Sequence, residues 1–169
     1  MGQHKKAVED FTTALEKDPL NAELYRIRAD SYYRLKEAEK ALADYNRAIE
    51  LNPKDAIAYN NRGLVYHEMN NLDQALQNYS KAISFDPHNP TFFENRALIK
   101  ASKGKTKEAL ADYENALKLT TDEKIRSNIA DKVSAANRKA SGEEEEGSAS
   151  SPAEPGGIDT TVERSLLRQ

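Results

Sequence analysis

Leu42-Ala43-Asp44-Tyr45-Asn46-Arg47-Ala48-Ile49, Leu76-Gln77-Asn78-Tyr79-Ser80-Lys81-Ala82-Ile83 and Leu110-Ala111-Asp112-Tyr113-Glu114-Asn115-Ala116-Leu117 superpose without a gap, each 34 residues after the last. The same ruler laid backwards lands on Val8-Glu9-Asp10-Phe11-Thr12-Thr13-Ala14-Leu15, a fourth copy at the start of the chain. Self-similarity at such a period marks a stack of identical supersecondary units rather than a single globular core. Pro19, Pro53 and Pro87 keep the period, and Thr121 takes the corresponding place where the array stops.

Each period reads as two helices. Tyr59, Gly63 and Tyr66 are spaced by four and three along the stretch 56–69, which is one face of a 3.6-residue helix. Ala75, Leu76, Tyr79, Ala82 and Ile83 form such a face over 72–85. Lys36-Glu37, Asn70-Asn71 and Lys103-Gly104-Lys105 break the pattern between the two helices of a unit. Asp18-Pro19, Asn52-Pro53 and Asp86-Pro87 end the second helix, because the residue before proline is pushed out of helical geometry. Asn21, Asp55 and Asn89 follow two residues later, placed to cap the next helix. Small residues at Ala29, Gly63 and Ala97, and at Ala41, Ala75 and Ala109, let paired helices approach. Tyr25, Tyr59, Phe93, Tyr32, Tyr66, Tyr45, Tyr79 and Tyr113 are the bulky partners that fill the core.

These residues resemble the tetratricopeptide repeat (TPR) family, whose unit has 34 residues, small side chains at its eighth, twentieth and twenty-seventh places and a proline near its end. The resemblance implies an all-α fold, a right-handed α-α superhelix of antiparallel helix pairs. The divisions expected are the second helix of an incomplete repeat over 1–21, repeats over 22–55, 56–89 and 90–121, a capping helix over 122–140 and a disordered acidic tail over 141–169. Departures from the pattern fall in the last repeat, where Lys100 replaces the aromatic of Tyr32 and Tyr66 and Thr121 replaces proline. Terminal repeats are commonly irregular.

Aligned backwards, Gly2 falls in the turn between two helices, so the first unit is half missing. That arrangement predicts either a fragment of a longer repeat protein or an apolar face, Val8, Phe11, Ala14 and Leu15, covered by a partner or by self-association through the uncapped N-terminal end. At the other end Ile125, Ile129 and Val133 step along one face of a helix that reads as a solvating lid. From Ser141 the composition shifts to a run of glutamates followed by Ser, Pro and Gly, too poor in apolar residues to fold. The charge of residues 141–169 is about −5, which leaves the repeats mildly basic. Ile158, Val162, Leu166 and Leu167 near the end have helical spacing but lie in a stretch too short for an isolated helix.

Composition excludes several classes of function. With 25 basic and 28 acidic residues alternating along the helices, the chain offers no field or basic patch for nucleic acid. No cysteine is present, and His4, His67 and His88 are scattered without metal-ligand spacing, so no metal or cofactor is expected. There is no phosphate-cradling glycine loop and no nucleophile elbow, hence no enzyme is predicted. No apolar run reaches the roughly 20 residues that cross a bilayer, and Lys6 stands where a myristoylation motif has Ser or Thr. The chain is accordingly read as a cytoplasmic, non-membrane protein.

In the resembled family the first helix of each unit lines a concave groove, at its second, fifth, sixth, ninth, twelfth and thirteenth places. Carried over by register, the candidate groove is Arg26, Ile27, Asp30, Tyr33 and Arg34, then Asn60, Asn61, Leu64 and His67, then Glu94, Asn95 and Leu98, and the same register adds Glu23, Ile57, Glu68, Thr91, Ala101 and Ser102. Asn61 and Asn95 share the sixth place, and an amide that both donates and accepts suits the backbone of an extended peptide. The partners implied are therefore other proteins, held through an extended segment. Some family members clamp the acidic C-terminal tails of Hsp70 or Hsp90 with lysines, asparagines and an arginine. Here the clamp places hold Arg26, Asp30, Asn61, Thr91 and Asn95, so two cations are missing and Asp30 repels a carboxylate. A third alternative is an assembly segment of a larger repeat protein that uses its helix faces instead of its groove.

Overall fold

A computed structural model describes the backbone of residues 2–141 and the side chains of residues 2–138. The expected disordered tail and the apolar spacing at 158–167 lie outside the described residues. Among the described residues eight helices follow one another: α1 (Gly2–Lys17), α2 (Ala22–Arg34), α3 (Ala38–Leu51), α4 (Ala56–Glu68), α5 (Leu72–Phe85), α6 (Pro90–Ser102), α7 (Thr106–Leu119) and α8 (Glu123–Ser141). Among the described residues there is no strand. The chief packing contacts pair α2 with α3, α4 with α5 and α6 with α7, and each pair leans on the next. This is the predicted solenoid of helix hairpins.

Local chemistry sets the boundaries. Asn21 Oδ1 accepts from Leu24 N at 3.1 Å, Asp55 Oδ1 from Ala58 N at 2.9 Å and Asn89 Oδ1 from Thr91 N at 3.1 Å. Each cap satisfies one of the N–H groups that a helix start leaves without a partner. Inside each hairpin the chain reverses through one left-handed residue, Lys36 (φ 64°), Asn70 (φ 58°) or Gly104 (φ 75°), again one period apart. The next N–H then closes back on the helix: Glu37 N donates to Tyr32 O, Asn71 N to Tyr66 O and Lys105 N to Lys100 O, at 2.8–3.0 Å.

The core is built one hairpin at a time, and the first helix of the following hairpin closes each section. Val65 of α4 packs with Ala29, Ala41 and Tyr45 of α2 and α3. Ile99 of α6 packs with Ala75 and Tyr79 of α5, and Ile129 of α8 with Ala97, Ala109, Tyr113 and Ala116. No hairpin buries its apolar face alone, which is why stability in such an array is shared between neighbours. At Gly63 the approach is close: a Cβ there would lie 2.7 Å from Cε1 of Tyr79.

Three expectations need correction. Gly2 does not lie in a turn, because α1 is helical from Gly2 onward. The apolar face of α1 is not left bare: α1 packs on α2, where Leu15 is buried and Val8, Phe11 and Ala14 are half-buried. In α8, Ile129 is buried and Val133 half-buried, but Ile125 is 38% exposed and faces a cleft, so the helix is more than a lid.

An arginine staple that recurs with the period was not anticipated. Arg28, Arg62 and Arg96 occupy the same place in successive hairpins. Arg28 Nε and Nη2 grip Asp44 at 2.7 and 2.8 Å while Nη1 reaches back to Thr12 Oγ1 of the preceding unit at 3.1 Å. Arg96 repeats this with Asp112 at 2.8 and 2.7 Å and with Ser80 at 3.2 Å. Arg62 reaches back to Asn46 at 2.7 Å, but its partner within the hairpin is Asn78, at 2.8 Å. A neighbouring aromatic ring flanks each guanidinium, Tyr25, Tyr59 or Phe93, with centroid distances of 5.6, 5.3 and 5.8 Å.

Candidate interaction surface

First helices α2, α4 and α6 lie edge to edge, and their side chains meet across the joints. Tyr45 Oη, from α3, donates to Asp30 Oδ1. Asn61 Nδ2 donates to the same oxygen at 2.9 Å, Asn60 Nδ2 to Asn61 Oδ1 at 3.0 Å, and Asn95 Nδ2 to Asn60 Oδ1 at 2.9 Å. A continuous polar line thus crosses three hairpins. It runs between places five, six and nine of successive units, because adjacent first helices are offset along their axes. The asparagines predicted to greet a peptide are first of all joined to each other. Each amide spends one of its two N–H groups, and Asn95 Oδ1 accepts nothing among the described residues.

Charge along the same wall is paired. Arg26 lies 3.3 Å from Asp55, 3.8 Å from Asp30 and 3.4 Å from Glu23. Tyr33 Oη donates to Glu68 at 2.5 Å, and Lys36 Nζ reaches the same carboxylate at 3.0 Å. Burial, and after it the bond to Glu68, pushes the Tyr33 hydroxyl up to about 12. The Tyr33 bond, and then Lys36, hold the Glu68 carboxyl below its ordinary value. Arg34 is exposed and stacks over the Tyr33 ring at 5.9 Å. Glu94 binds Lys132 of α8.

Apolar residues complete the surface. Ile57 is 47% and Leu98 42% exposed, whereas Ile27, Leu64 and His67 are half-buried. Leu64 packs against the Tyr79 section of the core, and Asn60 is buried at 5% exposure, so neither is a free contact residue. Beyond Glu94 the wall continues onto α8, where Lys124, Ile125, Asn128 and Lys132 line a cleft of about 440 Å³. These α8 residues carry no repeat signature, and sequence reasoning passed over them. Among the described residues no helix is long and apolar enough to cross a membrane. No group of three or more His, Cys, Asp or Glu is placed among them to hold a metal ion.

Stacked hairpins with one face of paired charge, spare amide capacity and exposed aliphatic side chains define a helical-repeat module for protein interaction. The chain belongs to the tetratricopeptide-repeat family: a "TPR repeat" family matches residues 29–70, and two described as "Tetratricopeptide repeat" match residues 56–89 and 91–123. Among solved structures it is similar to the "Crystal structure of MamA", with a TM-score of 0.67 and 31% identity over 70% of this chain and 69% of that one. It is also similar to the "Crystal structure of MamA protein", with a TM-score of 0.64 and 31% identity over 69% and 63% of the two chains. No curated protein matches the chain.

Proposed function

We propose that this chain is a scaffold that holds an extended segment of a partner protein along the wall formed by α2, α4 and α6. The observation that carries this reading is the coincidence, on one wall, of exposed Ile57 and Leu98 with an asparagine row whose hydrogen-bonding capacity is partly unused. An extended peptide presents alternating side chains and backbone amides. It needs both apolar anchors and neutral donor–acceptor groups that tolerate any sequence. Holding the row in place beforehand lowers the entropy lost on binding.

A clamp for Hsp70 or Hsp90 tails has less support. The Arg26 guanidinium is already shared by Asp55 and Asp30, and Asp30 sets a negative charge where a terminal carboxylate would lie.

Selection of random peptides displayed on phage against the full chain, followed by fluorescence polarisation of the winners, tests the proposal. Burying one aliphatic anchor contributes about 1.5–3 kcal/mol, so Leu98→Asp should weaken the selected peptides by about tenfold or more. Peptides that bind Ile57→Asp and Leu98→Asp as tightly as the parent chain would place the site elsewhere.

A further inference from the structure

The arginine staple is filled in two hairpins and incomplete in the third, on the flank of α4 that faces α5, away from the asparagine row. Arg28 and Arg96 each meet an aspartate through two parallel N–H bonds. At the same place Arg62 meets the neutral Asn78, whose own amide is turned away to donate to Gln74 O at 2.8 Å. Among the described residues Nη2 of Arg62 donates to nothing and no carboxylate lies within 4.0 Å of its guanidinium. Burial works against this charge and lowers its pKa, without a carboxylate to oppose the effect.

Beside Arg62 opens a cleft of about 730 Å³ between α4 and α5. Its lining includes Lys81 as a second cation, together with Gln74, Gln77, Ser80 and Ser84, and no acidic residue. Lys81 has no ion-pair partner among the described residues. A half-buried guanidinium with Nη2 unused, a nearby ammonium and a rim of neutral hydrogen-bonding groups form a receptor for an anion. The two sister hairpins identify which anion suits the spare donor, since Nη2 of Arg28 and of Arg96 each donates to a carboxylate oxygen from inside the chain.

We infer that the α4–α5 cleft is a second binding site, in which Arg62 and Lys81 receive a glutamate or aspartate side chain from an acidic segment of a partner protein. The site is independent of the asparagine wall and does not rest on the function proposed for it.

The test uses the full chain and a fluorescein-labelled peptide Gly-Glu-Glu-Glu-Glu-Gly, read by anisotropy. The parent chain should bind it, and added salt should weaken binding. Asn78→Asp supplies the missing carboxylate from within, as Asp44 and Asp112 do, so it should keep the fold while weakening the peptide by at least tenfold. Lys81→Gln should weaken it severalfold, and Leu98→Asp, on the other wall, should leave it unchanged. Undiminished binding to Asn78→Asp, or no binding to the parent chain, overturns the inference. The chain carries its own run, Glu143 to Glu146, and replacing these four residues by glutamine gives the remaining arm. Binding seen only in that variant assigns the carboxylate to the chain itself and overturns the external partner.

Discussion

Removing the hydroxyl of Tyr79 deletes a single oxygen, yet the structure predicts a gain in stability, whereas the same change at Tyr45 predicts a loss. Both rings occupy the same place in successive hairpins and both are fully buried. Tyr45 Oη finds Asp30 on the adjoining first helix. One unit later the position of Asp30 is taken by Leu64, and Tyr79 Oη has no hydrogen-bond partner among the described residues. Burial raises the pKa of both phenols, with the bond to Asp30 adding to the effect at Tyr45. A buried, unpaired hydroxyl costs about 1–3 kcal/mol, and the small void left by its removal offsets part of the gain. Tyr79→Phe should therefore stabilise by about 1 kcal/mol, or about 3 °C in a chain of this size. Tyr45→Phe removes a bond to a charged acceptor, worth about 1.5–3 kcal/mol. Because Asp30 keeps Asn61 and partial access to water, a loss of about 1–2 kcal/mol is expected. Urea unfolding followed by circular dichroism, with the slope m checked for constancy, measures both. Equal shifts of the same sign in the two variants would refute the role given to the polar line.

Other consequences are open to similar measurement. Gly63→Ala should destabilise by about 1 kcal/mol in urea unfolding even though Ala29 and Ala97 occupy the same place, because the clash with Tyr79 outweighs the helical preference for alanine. Asp44→Asn converts the Arg28 fork into the arrangement found at Arg62 and should cost about 1–2 kcal/mol, with a visibly lower melting temperature; an unchanged one would show the staple to be ornamental to stability. The depressed Glu68 carboxyl contributes stability that is present above its unfolded value and is lost as the pH falls through the lower folded one. Glu68→Gln should accordingly flatten the acid side of the stability curve below about pH 4.5, and thermal melts of the two proteins that stay parallel down to about pH 3 would argue against that linkage.

What could be read from the sequence was whatever a helix encodes along its own axis. The spacing of Tyr59, Gly63 and Tyr66 gave a face, and Asn21, Asp55 and Asn89 gave helix starts that the structure caps through those same side chains. Relations between helices were harder. Asn61 and Asn95 share a place in the unit and so read as a row of equivalent groups. In space Asn61 meets Asp30 and Asn95 meets Asn60, because the axial offset of neighbouring helices is not written in any one of them. Arg28, Arg62 and Arg96 stood one period apart in plain view. An arginine on an amphipathic helix is usually a solvated residue, and only the matching recurrence of Asp44, Asn78 and Asp112 could have revealed the fork. The cleft at α8 had no such signal, since Lys132 belongs to no repeat.

One consequence of the arginine staple concerns chain length. Each guanidinium is fastened to the residue 16 positions ahead and, at the same time, to one 16 positions behind. A hairpin can therefore be added or lost whole, leaving every fastening intact. Inserting one residue within α4 after Arg62, or within α5 before Asn78, would rotate one anchor by about 100° around its helix and detach it. Growth of this molecule is quantised: it can gain or shed complete periods, and its helices have little room to slip by single residues in between.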